Sequence, residues 1–309
     1  MPKPASGDAS FRRYFRVRGD VSCIVMDAPP PQEDCRGFVQ IADYLEKMGL
    51  NAPRVLEADL ERGFLLLSDL GSLPYLKGIE QHPQRAAALY MDAIDALLVM
   101  QTKGAEYQSQ LPPYDDALLL SELSLFREWL CERHLRIRFS ADDDRQWKDC
   151  CDALVDNAVN QPQVFVHRDY HSRNLMVTGF NNPGILDFQD AVEGPLTYDL
   201  VSLIKDCYIK WPVDRIVQWV LYFREYSDIA AQRDRDQFLR EFSLMGVQRH
   251  LKAAGIFARL LHRDGKSGYL HDVPRTLSYI IDIAPRYEAL SFLGDLILHR
   301  VVPALGEAG

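Results

Sequence analysis

Two short segments of this chain carry the residue types that phosphoryl transfer requires. One is His167-Arg168-Asp169-Tyr170-His171-Ser172-Arg173-Asn174, and the other is Leu186-Asp187-Phe188. Asp169 is an acid on a loop, suited to orient an attacking hydroxyl and take its proton. Asn174, five positions on, offers an amide oxygen, and Asp187 offers a carboxylate. Both are hard oxygen ligands of the kind Mg²⁺ takes while it also binds phosphate oxygens. One carboxylate thus aligns the acceptor, while the other and the amide handle charge. His167 is expected to hold the loop by hydrogen bonding rather than to act as acid or base. His171 lies inside the loop, where it either meets the acceptor or supports the loop. Asp190, just past the second segment, is a further metal ligand, an acceptor contact or a cap for the next segment.

These residues need strands to position them. Val164-Phe165-Val166 is a short apolar run before His167, Leu175-Met176-Val177 follows Asn174, and Gly184-Ile185-Leu186 leads into Asp187. Asn181-Asn182-Pro183-Gly184 is a strong turn between two of them. The spacing predicts strand, loop, strand, turn, strand and metal loop. The joint pattern matches the H-R-D-x-x-x-x-N and D-F-x template of phosphotransferases of the protein-kinase type.

A second His-Arg-Asp, at His262-Arg263-Asp264, does not fit. Five positions after Asp264 comes Tyr269, not Asn, and the preceding Leu244 to Leu261 has helical spacing. Gly265-Lys266-Ser267 mimics the end of a P-loop, but the position that must hold its first glycine is Leu260. Neither is expected to hold a nucleotide.

The rest of the chain reads as two lobes. Within residues 1–70, Phe11 to Val17, Ser22 to Met26, Arg54 to Ala58 and Gly63 to Leu67 predict strands. Phe38 to Met48 predicts a helix that Gly49 ends. Ser68-Asp69-Leu70-Gly71 breaks the pattern and is the expected hinge. Residues 71–309 are mainly helical apart from the catalytic hairpin, with helices near Gln84–Gln101, Tyr114–His134, Asp142–Asn160, Asp199–Tyr208, Val213–Ser227, Arg235–Leu261 and Arg275–Leu290. The fold class is α+β: a protein-kinase-like bilobal fold, with a small β-rich N-terminal nucleotide-binding lobe and a larger, mainly helical C-terminal lobe for catalysis and substrate.

Composition narrows the setting. A chain of 309 residues that is 47% hydrophobic can bury a large core. Its formal charge of −9 argues against nucleic acid or an anionic membrane as partner. No uninterrupted apolar run approaches the roughly 18 residues that span a bilayer, and the N-terminus shows no secretory signal. The six cysteines form no CxxC pair and are expected to be reduced thiols in a cytoplasm.

Further stretches carry a resemblance. No Ala-Pro-Glu segment follows Asp187, the metal loop is Asp187-Phe188-Gln189-Asp190, and Pro195-Leu196-Thr197-Tyr198-Asp199-Leu200 comes soon after. In these details the chain resembles the aminoglycoside phosphotransferase and choline kinase superfamily, in which an Asp like Asp199 buttresses the catalytic loop. Asp8-Ala9-Ser10-Phe11-Arg12-Arg13-Tyr14-Phe15-Arg16, Val25-Met26-Asp27-Ala28-Pro29-Pro30, Met245-Gly246-Val247-Gln248-Arg249-His250-Leu251-Lys252 and His262 to Lys266 take it further. They resemble the anomeric kinases of N-acetylmuramate and N-acetylglucosamine in bacterial cell-wall recycling. The resemblance implies ATP as donor, Mg²⁺ as cofactor and the C1 hydroxyl of an amino sugar as acceptor. Another small acceptor is a second reading, and a nucleotide-binding pseudokinase module a third.

One departure from such kinases is plain. The matching third strand, Cys23-Ile24-Val25-Met26, has no phosphate-binding Lys, and Gly7-Asp8-Ala9-Ser10 offers a single Gly. Backbone amides around Ser10 and Phe11 remain available to phosphate. Arg12 or Arg13 would replace the missing cation, and Asp69 joins the expected nucleotide contacts. Arg249 either lies on an exposed polar face with Gln248 and His250, or faces a substrate carboxylate such as a lactyl group.

Overall fold

A computed structural model describes residues 3–7 and 11–308. Along the chain run β1 (Lys3–Gly7), β2 (Arg13–Arg18), β3 (Ser22–Asp27), α1 (Cys35–Lys47), β4 (Val55–Asp59), β5 (Phe64–Ser68), α2 (Tyr75–Gln81) and α3 (Ala86–Gly104). Next come α4 (Asp116–Leu125), which continues as wider turns over Phe126–His134, then α5 (Ala141–Val159), β6 (Gln163–Val166), β7 (Leu175–Met176), β8 (Gly184–Ile185) and β9 (Val192–Pro195). The remainder holds α6 (Tyr198–Ile204), α7 (Val213–Tyr226), α8 (Asp228–Ala231), α9 (Arg235–Asp264), α10 (Val273–Ile283), α11 (Ser291–Leu296) and α12 (Val302–Ala308). The chain packs as two compact units: Met1–Pro112 with His167–Val192, and Pro113–Val166 with Glu193–Gly309.

The first unit is built on an antiparallel sheet of order β1-β2-β3-β5-β4. Its register follows from alternation: Met26, Leu65 and Leu67 are buried while Phe64 faces outward. Asp34 caps α1 by accepting the Arg36 N–H at 2.9 Å. Phe38, Ile41 and Leu45 then fall on one buried stripe. Gly49, at φ +81°, supplies the left-handed residue that ends this helix. The second unit is mainly helical and is organised on α9, whose 30 residues carry buried side chains around much of its circumference. The α+β expectation holds, and each strand and helix expected before residue 70 is present within two or three residues.

Three elements depart from the expectation. β1 pairs with β2 although Lys-Pro-Ala-Ser-Gly shows no apolar alternation. α2 forms between the expected hinge and α3. The C-terminal helices extend past Leu290 to Ala308, and the stretch Glu288–Glu307 has a mean hydropathy of 1.3 and is one-third buried. Length and composition alone would let this stretch span a bilayer, a test that a core helix also passes. Asp295, His299 and Arg300 interrupt it, so it is not a continuous apolar run.

Candidate active site

All the residues of the catalytic loop and metal loop lie in the first unit, and backbone bonds fasten them there. β7 and β8 pair antiparallel, Leu175 opposite Ile185 and Met176 opposite Gly184, so the motif does lie on a hairpin. The Leu76 N–H donates to Ser172 O at 2.9 Å, the Val177 N–H to Leu73 O at 2.8 Å and the Ile185 N–H to Asn51 O at 2.7 Å. The fully buried Tyr170 donates its hydroxyl to Ala93 O of α3 at 2.8 Å. The Asn182 amide in the turn donates to Tyr75 Oη and to Asp92, each at 2.7 Å. Gly184 has no room for a side chain, since a β-carbon there meets Leu70 at 3.0 Å, Thr178 at 3.1 Å and Met176 at 3.2 Å.

This scaffold brings Asp169, Asn174 and Asp187 together. The Asn174 Nδ2 donates to Asp169 O at 3.1 Å and to Asp187 Oδ2 at 3.2 Å. With its nitrogen so engaged, Asn174 has its oxygen to offer a cation. Gln189 Nε2 donates to Asp187 Oδ1 at 3.0 Å and to Asp190 Oδ2 at 3.2 Å, so Asp190 lies beside the metal loop. Arg168 and Asp187 adopt left-handed backbone, φ +74° and +62°. For a non-glycine residue this costs on the order of 1–3 kcal/mol, and such strain gathers at functional sites. Phe188 is fully buried and packs on Phe38 of α1, ring centroids 4.7 Å apart.

His167 is fully buried. Its Nδ1 accepts the Asp169 N–H at 3.2 Å, and the ring also bonds the backbone of Leu186. Burial pushes its pKa down to about 4, so it stays neutral and keeps the Nδ1 lone pair that this bond needs. It therefore ties the catalytic loop to the residue before Asp187, in keeping with a structural role. His171 donates its backbone N–H to Asp169 O at 3.0 Å, and its Nε2 lies 4.0 Å from Asp169 Oδ1. The Asp169 side chain keeps 41% of its surface exposed, which leaves it reachable by an acceptor hydroxyl.

The donor set suits magnesium. No cluster of three or more His, Cys, Asp or Glu able to hold a metal occurs among the described residues. The Asp187 carboxylate and the Asn174 amide instead make a sparse, hard-oxygen pair, to which phosphate oxygens and water would add.

The expected nucleotide residues part ways. Arg12 Nε pairs with Glu33 Oε2 at 3.0 Å, with both side chains only 13% exposed, and Glu33 Oε1 accepts the Phe11 N–H at 3.1 Å. Glu33 sits just before the N-terminus of α1, the helix that also packs on Phe188. Gly37, in the first turn of α1, lies close to Gln189 O, 3.6 Å from where its β-carbon would stand. The Phe11–Arg12 segment and the metal loop therefore dock on the same end of one helix. Arg13 instead pairs with Asp27 and is 63% exposed. Ser10 lies outside the described residues. The Asp69 side chain, expected at the nucleotide, is taken up by the hinge: it accepts from Arg16 at 2.6 and 3.0 Å, Ser22 at 2.6 Å and Gly71 N–H at 3.0 Å. Burial raises the Asp69 carboxyl's pKa, but these bonds outweigh it and hold the pKa below the usual carboxylate value. Glu33 and Arg16 escaped sequence reasoning, because their partners stand 21 and 53 positions away.

Two expected site residues belong to the second unit. Asp199 is fully buried on α6. Arg249 is 6% exposed and its Nη1 lies 3.7 Å from Cys207 Sγ, while Gln248 and His250 are fully buried. The reading of these three as an exposed polar face is corrected: α9 is enclosed on more than one side, so a polar run within it is not a solvent face. The second His-Arg-Asp occupies the last turn of α9. There Arg263 pairs with its neighbour Asp264 at 2.9 Å and Gly265 caps the helix at φ +69°. It is a helix end, not a catalytic loop.

Comparisons with known proteins identify the family. An N-acetylmuramate/N-acetylglucosamine kinase of Pseudomonas aeruginosa is 50% identical over 298 residues, 95% of this chain and 87% of that protein. A protein of the same name from Neisseria meningitidis is 40% identical over 304 residues, 96% of this chain and 90% of its own. The crystal structure of a choline/ethanolamine kinase family protein from Mesorhizobium loti superposes with a TM-score of 0.63 at 15% identity, covering 100% of this chain and 92% of that one. At that identity the likeness speaks for the fold alone. The profile of the phosphotransferase enzyme family matches residues 2–239, and with relatives this similar along nearly its whole length the chain belongs to that family.

Proposed function

We propose that this protein is an ATP-dependent kinase that phosphorylates the C1 hydroxyl of N-acetylmuramate and N-acetylglucosamine in the cytoplasm, returning cell-wall sugars to use. The observation that carries the acceptor is the 50% identity, over nearly all of both chains, to a kinase named for those two sugars. The reaction type is supported by the Asp169, Asn174 and Asp187 constellation.

In this reading Asp169 orients the acceptor hydroxyl and takes its proton as the bond to phosphorus forms. His167 holds the Asp169 backbone and thereby its aim. Asn174 and Asp187 would hold the magnesium ion, which would supply compensation for charge on the phosphates. His171 and Asp190 are the candidate groups for contacts to the acceptor. Residues 1–70 form the nucleotide lobe and residues 71–309 carry catalysis and substrate. Of the two arginines, Arg12 is the phosphate-side cation, held by Glu33 much as a lysine–glutamate pair is held in protein kinases. Arg12→Ala is expected to raise KM for ATP about tenfold or more, with Arg13→Ala close to wild type, the loss expected of a charge-assisted bond. Equal effects of the two variants on KM would overturn the choice of Arg12.

ATP turnover over a panel of acceptors tests the function itself. N-acetylmuramate and N-acetylglucosamine are expected to be consumed, while choline and an aminoglycoside are not. Turnover with either of the latter pair alone would refute the sugar reading.

A further inference from the structure

Gln189 stands between the two acids of the metal loop. The Ala191 N–H donates to Phe188 O at 3.1 Å, closing a tight turn with Gln189 and Asp190 at its centre. Two contacts fix that turn on α1, within the first unit. Phe188 packs on Phe38, and Gly37 leaves room for the Gln189 carbonyl, 3.6 Å from the place a β-carbon would take. From this anchored backbone the side chain reaches both neighbouring acids. Its Nε2 donates to Asp187 Oδ1 at 3.0 Å and to Asp190 Oδ2 at 3.2 Å, one hydrogen for each carboxylate.

The other end of the amide is left over. Gln189 Oε1 is buried and has no hydrogen-bond partner among the described residues. A buried carbonyl without a donor is destabilising. Turning the amide over would not relieve it, because the oxygen would then face two carboxylates. The orientation of Gln189 is therefore dictated by Asp187 and Asp190.

Asp187 in turn is gripped from both sides. Asn174 Nδ2 donates to its Oδ2 at 3.2 Å, and Gln189 holds its Oδ1. The two amides thereby set the plane of the carboxylate. A carboxylate oxygen has about two lone-pair sites, so one amide on each does not exhaust the group. Both amides are also neutral. Gln189 joins two negative groups without adding a third. A magnesium ion held by one or two carboxylates leaves most of its shell to water and phosphate, and each added carboxylate strengthens the protein's own hold on the ion.

We infer that Gln189 is a positioning residue that orients Asp187 for magnesium and, by being neutral, makes that ion bind together with the nucleotide instead of ahead of it. The inference rests on the reading of Asp187 and Asn174 as magnesium ligands. A glutamate has nearly the same shape as Gln189 but would complete a cluster of three carboxylates with Asp187 and Asp190.

The test is calorimetry of the full chain with Mg²⁺ alone, ATP alone and Mg²⁺ with ATP, in wild type, Gln189→Glu and Gln189→Met, with thermal melting to check the fold. The two variants are expected to move in opposite directions. Gln189→Glu should bind Mg²⁺ without nucleotide about tenfold or more tightly than wild type, from the added ligand charge. Gln189→Met loses both donated bonds and leaves Asp187 free to turn. It should bind Mg²⁺-ATP about tenfold or more weakly, the loss expected of hydrogen bonds to charged groups, while ATP alone binds as in wild type. Raising Mg²⁺ should restore its turnover, a rescue that a folding defect would not give. Should it fail to fold, Gln189→Leu takes its place in the same comparison. Nucleotide-free Mg²⁺ binding in Gln189→Glu no tighter than in wild type, or unchanged Mg²⁺-ATP affinity in Gln189→Met, overturns the inference. Wild type whose ATP binding ignores Mg²⁺ overturns the magnesium reading of Asp187 and Asn174 instead.

Discussion

Asp169→Asn is expected to lower phosphoryl transfer by at least about a hundredfold while leaving the fold intact. The substitution is nearly isosteric, and the backbone bonds of residue 169 do not depend on its side chain. The Asp169 N–H still donates to His167, and its carbonyl still accepts from Asn174 and the His171 N–H. What changes is the chemistry. A carboxylate accepts the proton of the attacking hydroxyl and favours it electrostatically, whereas an amide cannot take that proton. Single-turnover ATP consumption measures the loss, and thermal melting checks the fold. Near-normal turnover in a variant that melts like wild type would remove Asp169 from its role.

Asp187→Ala is expected to abolish the Mg²⁺-dependent part of nucleotide binding, and Asn174→Ala to weaken it less. A hard dication gains far more from a carboxylate than from a neutral amide oxygen. Two side effects need a control. Alanine at φ +62° is strained, and the Asn174 and Gln189 amides both lose their acceptor on Asp187. Asp187→Asn tolerates the left-handed backbone, keeps an acceptor oxygen and removes only the charge. It is therefore expected to fall with the alanine variant if charge is what matters. Calorimetry with ATP, with and without Mg²⁺, gives the ranking. Unchanged affinity in either Asp187 variant would place the metal elsewhere.

The parts of the molecule that sequence revealed are those specified locally. Asp169, Asn174 and Asp187 fall within one short hairpin, so their spacing is itself a geometric statement, and the Asn181–Gly184 turn closes it. Strands β2, β3, β4 and β5 announced themselves as short strand-length segments between loop residues, and α1 by its apolar stripe and glycine stop. What stayed hidden depends on partners distant in the chain. Arg12 and Arg13 are neighbours with identical side chains. Glu33 and Asp27 distinguish them, the first drawing its arginine inward and the second leaving its arginine exposed. Asp69 reads as a free acid at a hinge until Arg16 and Ser22 are seen to claim it. Gln248, Arg249 and His250 look like a solvent face, because helical periodicity cannot report that a long helix is covered on several sides.

The phosphate is expected to go to the anomeric hydroxyl. The hemiacetal hydroxyl is the most acidic on the sugar, which suits removal of its proton by Asp169, but the constellation alone would serve any hydroxyl brought to it. Phosphorus NMR of the product formed from N-acetylglucosamine and ATP decides the matter. A sugar 1-phosphate is expected as the only new phosphomonoester, with no product from the methyl glycoside, whose C1 oxygen is blocked. A 6-phosphate signal, or turnover of the methyl glycoside, would contradict it.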